Sequence, residues 1–363
     1  MRLTMIAADN ENEKNCSLYN IIYPAKEINK LDGHTAEVFH IEEFKQNTEA
    51  VQKSCSESDL IIIERNLFGD VLTMIQFWKV RNKNICAILD DGYQVILPQN
   101  AAYSFWGLSQ VLGKNNETGE QVMLNIVPPP LKQLGWGLRM VKSLLVPSKQ
   151  LSIDWAQHTK TYRIHNYLDG QRYEGIDRLF PHEDTIFLYW GGSLSHFESF
   201  EGSGLFTALS DTLKRFKNVR LLISGDKRVY DRVIADEGKK FFSPFVKEED
   251  WGKLLRSADI GLCPLSGVYD LRRSYLKPLE FFASGVPVLG SNLSTYEELF
   301  EYGTFIDNGI ENWKRALAKM IRNYPEYKAK AEKAKEFALT QTYKRNIQKL
   351  LDVYQQVIND EYI

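Results

Sequence analysis

The sequence predicts an α/β protein made of two Rossmann-like, doubly wound parallel-sheet domains facing a shared cleft. Three observations carry that expectation. Short apolar runs alternate with amphipathic stretches along the whole chain, the pattern of successive βα units. A polar stretch at 166–184, with Gly170, Gly175 and Pro181, divides the series in two and reads as a linker. The chain has 363 residues, enough for a separate core on each side of that linker. No short-period repeat competes with this reading.

The first series begins with apolar runs at 3–7, 35–39, 60–63 and 84–89, expected as buried parallel strands. Residues 69–80 between the last two suit a crossover helix. A strand at 144–147 ends at Ser148, which is placed to cap a helix over 149–156. A short strand is expected at 163–165. The second series opens with a strand at 185–189 and the turn Trp190-Gly191-Gly192-Ser193. A helix at 206–216, a strand at 219–224, a helix at 248–257 and a strand at 260–264 follow. Residues 278–284 read as a helix starting on Pro278 and closed by Gly285. A strand at 286–289 comes next, then a capping box, Ser294-Thr295-Tyr296-Glu297, opening another helix. Amphipathic helices are expected at 313–322, 327–339 and 343–358. The domains should span 1–170 and 171–340, with 341–363 as a terminal helix.

Charge is nearly balanced, 45 Lys and Arg against 47 Asp and Glu, so no basic surface marks a nucleic-acid partner. Cys16, Cys55, Cys86 and Cys263 lie far apart without CxxC spacing; neither a disulfide framework nor a metal site is expected. Cys86 and Cys263 sit in apolar runs and read as buried thiols. The first residues have too short an apolar core for a signal peptide, and no run reaches membrane-spanning length. A cytoplasmic protein is expected, or one peripheral on the inner membrane face.

The most informative stretch is Arg272-Arg273-Ser274-Tyr275-Leu276-Lys277-Pro278-Leu279-Glu280. It crowds cations at a helix N-terminus, which is already positive. An anion in the gap would resolve that conflict, since helix N-termini bind phosphate and Arg and Lys add charge-assisted hydrogen bonds. The N–H groups of Leu279 and Glu280 would then be free to face a ligand. Glu280 offers a carboxylate for hydroxyls beside the phosphate, so phosphate plus polyol suggests a nucleotide sugar. The alternative is a set of solvated charges. Gly191 and Gly192 let backbone amides approach a ligand closely, or simply make a tight turn. Ser193 and His196 share that loop, and Lys227 follows the next strand end; each is a phosphate or donor candidate with a structural alternative. Asp90 and Asp91, at a strand end of the first series, either serve an acceptor and a positively charged sugar or cap the turn at Gly92. Arg65 is placed to pair with one of them. Asn10 and Tyr19 are further acceptor-side candidates. The stretch 128–142, with Phe105-Trp106, is either a helix packed on the first sheet or a lipid-facing surface.

Ser274-x-x-Lys277-x-x-Glu280-Phe281-x-Ala283-x-Gly285-Val286-Pro287-Val288 resembles the donor-site motif of GT-B glycosyltransferases, in particular the retaining family four group of bacterial surface polysaccharide synthesis. Glu64-Arg65-Asn66 followed by Leu89-Asp90-Asp91, Val146-Pro147-Ser148-Lys149, His165-Asn166-Tyr167, Tyr189-Trp190-Gly191-Gly192-Ser193 with His196, and 258–265 are similar to further segments of that group, in the same order. The resemblance implies a nucleoside diphosphate sugar as donor substrate, a glycan or lipid-linked acceptor on the first domain, retention at the anomeric carbon, and no metal or other cofactor. It implies that Lys277 and Arg273 hold the diphosphate, that Glu280 holds the ribose, and that the last helix crosses back to the first domain. Many members carry a second glutamate where this chain has Arg272. A sugar-nucleotide epimerase and a catalytically silent GT-B subunit are the alternatives.

Overall fold

The computed structural model describes residues 1–9, 15–115, 118–180, 184–244 and 246–362. Its strands are β1 (Arg2–Ala7), β2 (Thr35–His40), β3 (Leu60–Glu64), β4 (Ile85–Ile88), β5 (Gln110–Lys114), β6 (Gln121–Asn125), β7 (Ser143–Val146), β8 (Lys160–Arg163), β9 (Ile186–Gly192), β10 (Val219–Gly225), β11 (Lys240–Ser243), β12 (Ile260–Cys263), β13 (Val288–Ser291) and β14 (Thr304–Ile306). They form two parallel six-stranded sheets, β2-β1-β3-β4-β7-β8 and β11-β10-β9-β12-β13-β14, plus the hairpin β5-β6. Both expected doubly wound sheets are therefore present. In each, the chain returns across its first strand, at β1/β3 and at β9/β12, and ligands are expected just beyond such switch points.

The strands read as unbroken apolar runs because both faces are covered. In β3, Ile61 and Ile63 join one buried cluster with Phe44, Trp78 and Leu138, whereas Leu60 and Ile62 join another with Met5, Cys86 and Tyr354. The second cluster includes Tyr343, Leu350, Leu351 and Val357 of the helix Tyr343–Asn359. The last helix thus completes the core of the first sheet, although it follows the second domain in sequence. Helix Pro130–Met140 also packs on the first sheet through Leu134 and Leu138. Cys86 and Cys263 are fully buried. No helix among the described residues is long and apolar enough to cross a membrane.

Several boundaries differ from expectation for local reasons. The helix expected at 278–284 runs Leu276–Ala283, so Pro278 is its third residue, where a missing N–H breaks no bond within the helix. Gly285, at φ 66°, closes it. The Gly285 N–H donates to Phe282 O and the Val286 N–H to Phe281 O, which delays entry into β13 until Val288. The expected capping box at 294–297 is absent: Leu293 precedes a short 3₁₀ turn, no side chain caps it, and Thr295 donates its hydroxyl to Asp270 O. β8 starts three residues before the expected 163–165 and ends at Arg163, because Lys160–Arg163 pair with Ser143–Val146 and His165 leaves the sheet to stack on Tyr275. The hairpin β5-β6 was not anticipated. Val111, Leu112, Met123 and Leu124 are all exposed, so neither face supplies the in–out alternation that marks a half-buried strand.

Leu351 is 2% exposed, and Leu351→Ala should cost about 2–5 kcal/mol. The loss should appear in first-domain unfolding, followed by urea titration of the full chain. An unchanged midpoint would show that the last helix adds little to that core.

Candidate functional site

The second-sheet wall of the cleft forms at the switch point β9/β12. β9 ends in Trp190-Gly191-Gly192. The Lys277 ammonium, in the first turn of helix Leu276–Ala283, donates to the Gly191 carbonyl and lies 5.2 Å from the centre of the Trp190 ring. A Cβ at Gly192 would meet Lys277 Nζ at 3.1 Å and the Trp190 ring at 2.6 Å, so only glycine allows this approach. Lys277 keeps part of its surface, yet it is enclosed enough that desolvation pushes its pKa down to about 8, against the opposing pull of Cys263 and Glu280 and with help from Arg273.

Arg273 lies beside it. Its Nε donates to Asp270 Oδ1 at 2.6 Å, and one terminal nitrogen reaches Ser195 O at 2.5 Å and Ser195 Oγ at 3.1 Å. Asp270 is itself buried and accepts from Ser199 Oγ and the Ser266 N–H. The loop carrying Ser193 and His196 is thereby tied to the 270–277 segment. Ser193 is exposed and shares a hydrogen bond with Ser195 at 3.0 Å. Burial, with the charges of Arg273 and Lys277, holds the His196 imidazole well below its usual range. It is neutral at physiological pH, and its Nδ1 is buried without a hydrogen-bond partner.

Other candidates are placed differently. The Leu279 N–H is not free but donates to Tyr275 O, because the helix starts earlier than expected. The Leu276 N–H donates to Ser274 Oγ at 3.4 Å. Tyr275 is buried and stacks on His165, with ring centres 4.8 Å apart. Lys227 turns to Asp231 on its own helix at 2.6 Å and is exposed. Arg228, which sequence reasoning missed, instead faces the cleft, reaching Leu194 O at 2.6 Å and Gln99 O at 3.3 Å. Only its position beside Lys227, in the same first helical turn, could have signalled it.

Glu280 is 6% exposed. Its Oε1 accepts from Tyr19 Oη at 2.5 Å, Tyr173 Oη at 2.7 Å and Trp251 Nε1 at 2.8 Å. Tyr19, from a single π-helical turn at Leu18–Ile22 in the first domain, also accepts from Arg172 at 3.2 Å. Such turns often accompany functional sites. Tyr23, one turn on, donates to Glu248 at 2.7 Å.

The first-sheet wall holds a buried polar cluster at the switch point β1/β3. Glu64 is fully buried; it accepts from the Ala8 N–H and Asn20 Nδ2, and from Ser17 Oγ. Asn20 Nδ2 also donates to Asp90 at 3.1 Å, while Asn20 Oδ1 accepts from Asn166. Burial raises the Glu64 pKa to about 7, with Asp90 also raising it and Arg65 and the hydrogen bonds opposing. Arg65 pairs with Asp9, not with Asp90 or Asp91 as expected. Its φ of 40° is a left-handed backbone conformation that costs energy and concentrates at functional sites. Asp91 is held above the usual carboxylate range by burial and by Asp90, against Arg273 and a hydrogen bond from Tyr269. Asn10 lies outside the described residues. No three His, Cys, Asp or Glu side chains among the described residues converge as a metal site would require.

The walls touch through charge. Arg272 makes a two-pronged pair with Asp154, at 2.5 and 3.1 Å, and its carbonyl accepts from Ser148. Arg273 stands 3.8 Å from Asp91. Arg272 therefore points into the first domain, away from Lys277's pocket, and is not a substitute for a glutamate in that pocket.

Comparison with known proteins follows the same architecture. Residues 206–352 match the family described as "Glycosyl transferase-like". None of the curated proteins compared matches the chain. Among solved structures, Alr3699/HepE from Anabaena, in complex with UDP and glucose, is 14% identical, with a TM-score of 0.65 over 98% of this chain and 100% of its own. Sucrose-phosphate synthase from Thermosynechococcus elongatus is 11% identical, with a TM-score of 0.64 over 98% and 99%. A Listeria monocytogenes protein provisionally assigned as a UDP-N-acetylglucosamine 2-epimerase is 10% identical, with a TM-score of 0.57 over 98% and 96%. At these identities the likeness is one of fold: the two six-stranded parallel sheets are those of the GT-B fold.

The raised pKa of Glu64 sets a pH test. Its folded value, about 7, lies above the ordinary glutamate value of 4.5. The folded state binds the extra proton between these limits, so stability from this group is full at low pH and is lost as pH rises through 7. Melting temperature should fall from pH 5 to 8, and Glu64→Gln should flatten that slope. An equal slope in both proteins would count against the assignment.

Proposed function

We propose that this protein is a glycosyltransferase that moves a sugar from a nucleoside diphosphate sugar to a glycan or lipid-linked acceptor, with retention and with side-chain cations in place of a metal. The observation that carries the proposal is the convergence of Lys277 on the Gly191-Gly192 strand end, with Arg273 and Glu280 on the same segment. Cleavage of the anomeric bond leaves negative charge on the diphosphate. Lys277 and Arg273 stand where that charge would develop, and preorganised charge is usually the largest catalytic contribution. Asp90 and Asp91, on the opposite wall, suit the positive charge that grows on the sugar. The Glu280 carboxylate would take the ribose hydroxyls. Tyr173 and Trp251 belong to the linker and second domain, so Tyr19 is the donor that a ribose would displace.

Donor entry then requires the walls to part, and closure around the donor excludes water. An epimerase reading draws on neutral His196, whose Nδ1 is unpartnered on the same loop. Conversion of the donor to its epimer without any acceptor would favour it. A silent subunit would bind the donor and consume none.

UDP, GDP and ADP should be compared by thermal shift. The cognate diphosphate, at a hundred times its dissociation constant, should stabilise by about 2.7 kcal/mol. Lys277→Ala should lose that response and turnover while keeping its far-UV circular dichroism; an unchanged response would overturn the assignment. Protonated Lys277 is the binding form, so affinity should be level below pH 7 and fall as pH rises through about 8. Lys277→Arg should remain charged and lose that fall.

A further inference from the structure

A second cavity lies in the first domain, outside the pocket of Lys277. It has a volume of about 400 Å³ and opens between helices Pro130–Met140 and Lys149–Trp155. That volume suits a small organic ligand. Lys132, Trp136 and Arg139 line one wall, spaced i, i+4, i+7 so that they share a helix face. The opposite face of the same helix buries Leu134 and Leu138 in the core. Trp136 is 39% exposed, and the Lys132 ammonium lies 5.3 Å from its ring centre. Trp155, with Gln157 and His158 following it, lines the other wall.

The lining combines the exposed Trp136 indole with planar polar side chains. Sugars present the matching chemistry, a C–H face for the ring and hydroxyls for the amide and imidazole edges. Most of the lining surface is apolar, and the charged groups among the lining residues are net positive. Neither Lys132 nor Arg139 makes an ion pair with a described residue, and the one carboxylate in the lining, Asp154, is taken up by Arg272, Gln94 and Gln150. Burial and Arg139 lower the His158 pKa, so His158 adds no charge at neutral pH. Asp154 also joins this cavity to the proposed donor site: its partner Arg272 precedes Arg273.

We propose that this groove is an acceptor subsite that binds an acidic saccharide, such as a uronic-acid chain, whose end reaches the cleft at Asp91. The assignment rests on the transferase reading above and names its acceptor class. A bilayer surface is the competing source of anionic contact for Lys132, Arg139 and Trp136. A volume of about 400 Å³ between two helices favours a chain that enters the groove over a flat surface that spans its mouth.

The test uses the full chain, with trigalacturonate and a hyaluronan tetrasaccharide as probes and maltotriose as the neutral control. Binding is read by tryptophan fluorescence and calorimetry. The acidic probes should bind and maltotriose should not. Trp136→Ala and the double variant Lys132→Ala/Arg139→Ala should each weaken binding by roughly tenfold or more, the first through lost stacking and the second through lost charge-assisted contacts. Both variants should keep the wild-type thermal shift with nucleoside diphosphate, which also shows that they fold. The proposal fails if no acidic probe binds, if maltotriose binds equally, or if the variants bind as the wild type does. It also fails if the variants lose only phosphatidylglycerol vesicle binding. Loss of the nucleotide response in the wild type, with saccharide binding intact, would instead sink the transferase reading.

Discussion

The carboxylate of Glu280 is where the molecule is tied together. A buried carboxylate is tolerated only when its oxygens are well supplied with hydrogen bonds, and here one oxygen takes three donors from three parts of the chain. Trp251 fixes it to the second domain, Tyr173 to the linker and Tyr19 to the first domain. Satisfying one buried charge therefore also sets how the two walls meet. Arg172 reinforces the arrangement by contacting both Tyr19 and the Glu248 carbonyl.

Around that point, charge pairs cross the cleft beside aromatic contacts: Tyr269 of the second domain lies in the buried cluster of the first, and His165 stacks on Tyr275. Arg272 with Asp154, Arg273 with Asp91, and Arg163 with Glu298 all cross it. Such pairs exchange hydration for partners at small net gain, so breaking them adds little to the cost of parting the walls. A site that must admit a charged, hydrated ligand and then shed water is well served by that balance. The same balance leaves the basic stretch at 272–277 divided: Arg272 points into the first domain, Arg273 reaches both Asp91 and Ser195, and Lys277 donates to the strand end.

The sheets were legible in the sequence because strands buried on both faces are written as continuous apolar runs, as 60–63 shows. The crowded cations around Lys277 were legible because they contradict the dipole of the helix they open. What escaped was set by distant contacts. Nothing near Asp9 in sequence announces Arg65 as its partner, since they meet only across adjacent strand ends. Glu64 looked like the polar end of a strand, and its burial depends on Ser17 and Asn20 from another segment. Lys227 and Arg228 were indistinguishable by type, and only the direction of their helix separated them. The hairpin β5-β6 lacked a buried face and so left no periodic trace.

The helix Tyr343–Asn359 has a consequence for biosynthesis. Its Leu350, Leu351 and Val357 lie among residues from β1, β3 and β4, yet they leave the ribosome only after the whole second domain. The first domain must wait, with one face of its sheet uncovered, while the second is translated and collapses. The nascent chain thus carries an unfinished hydrophobic surface until the second domain has been made, and this helix acts as the closing stitch.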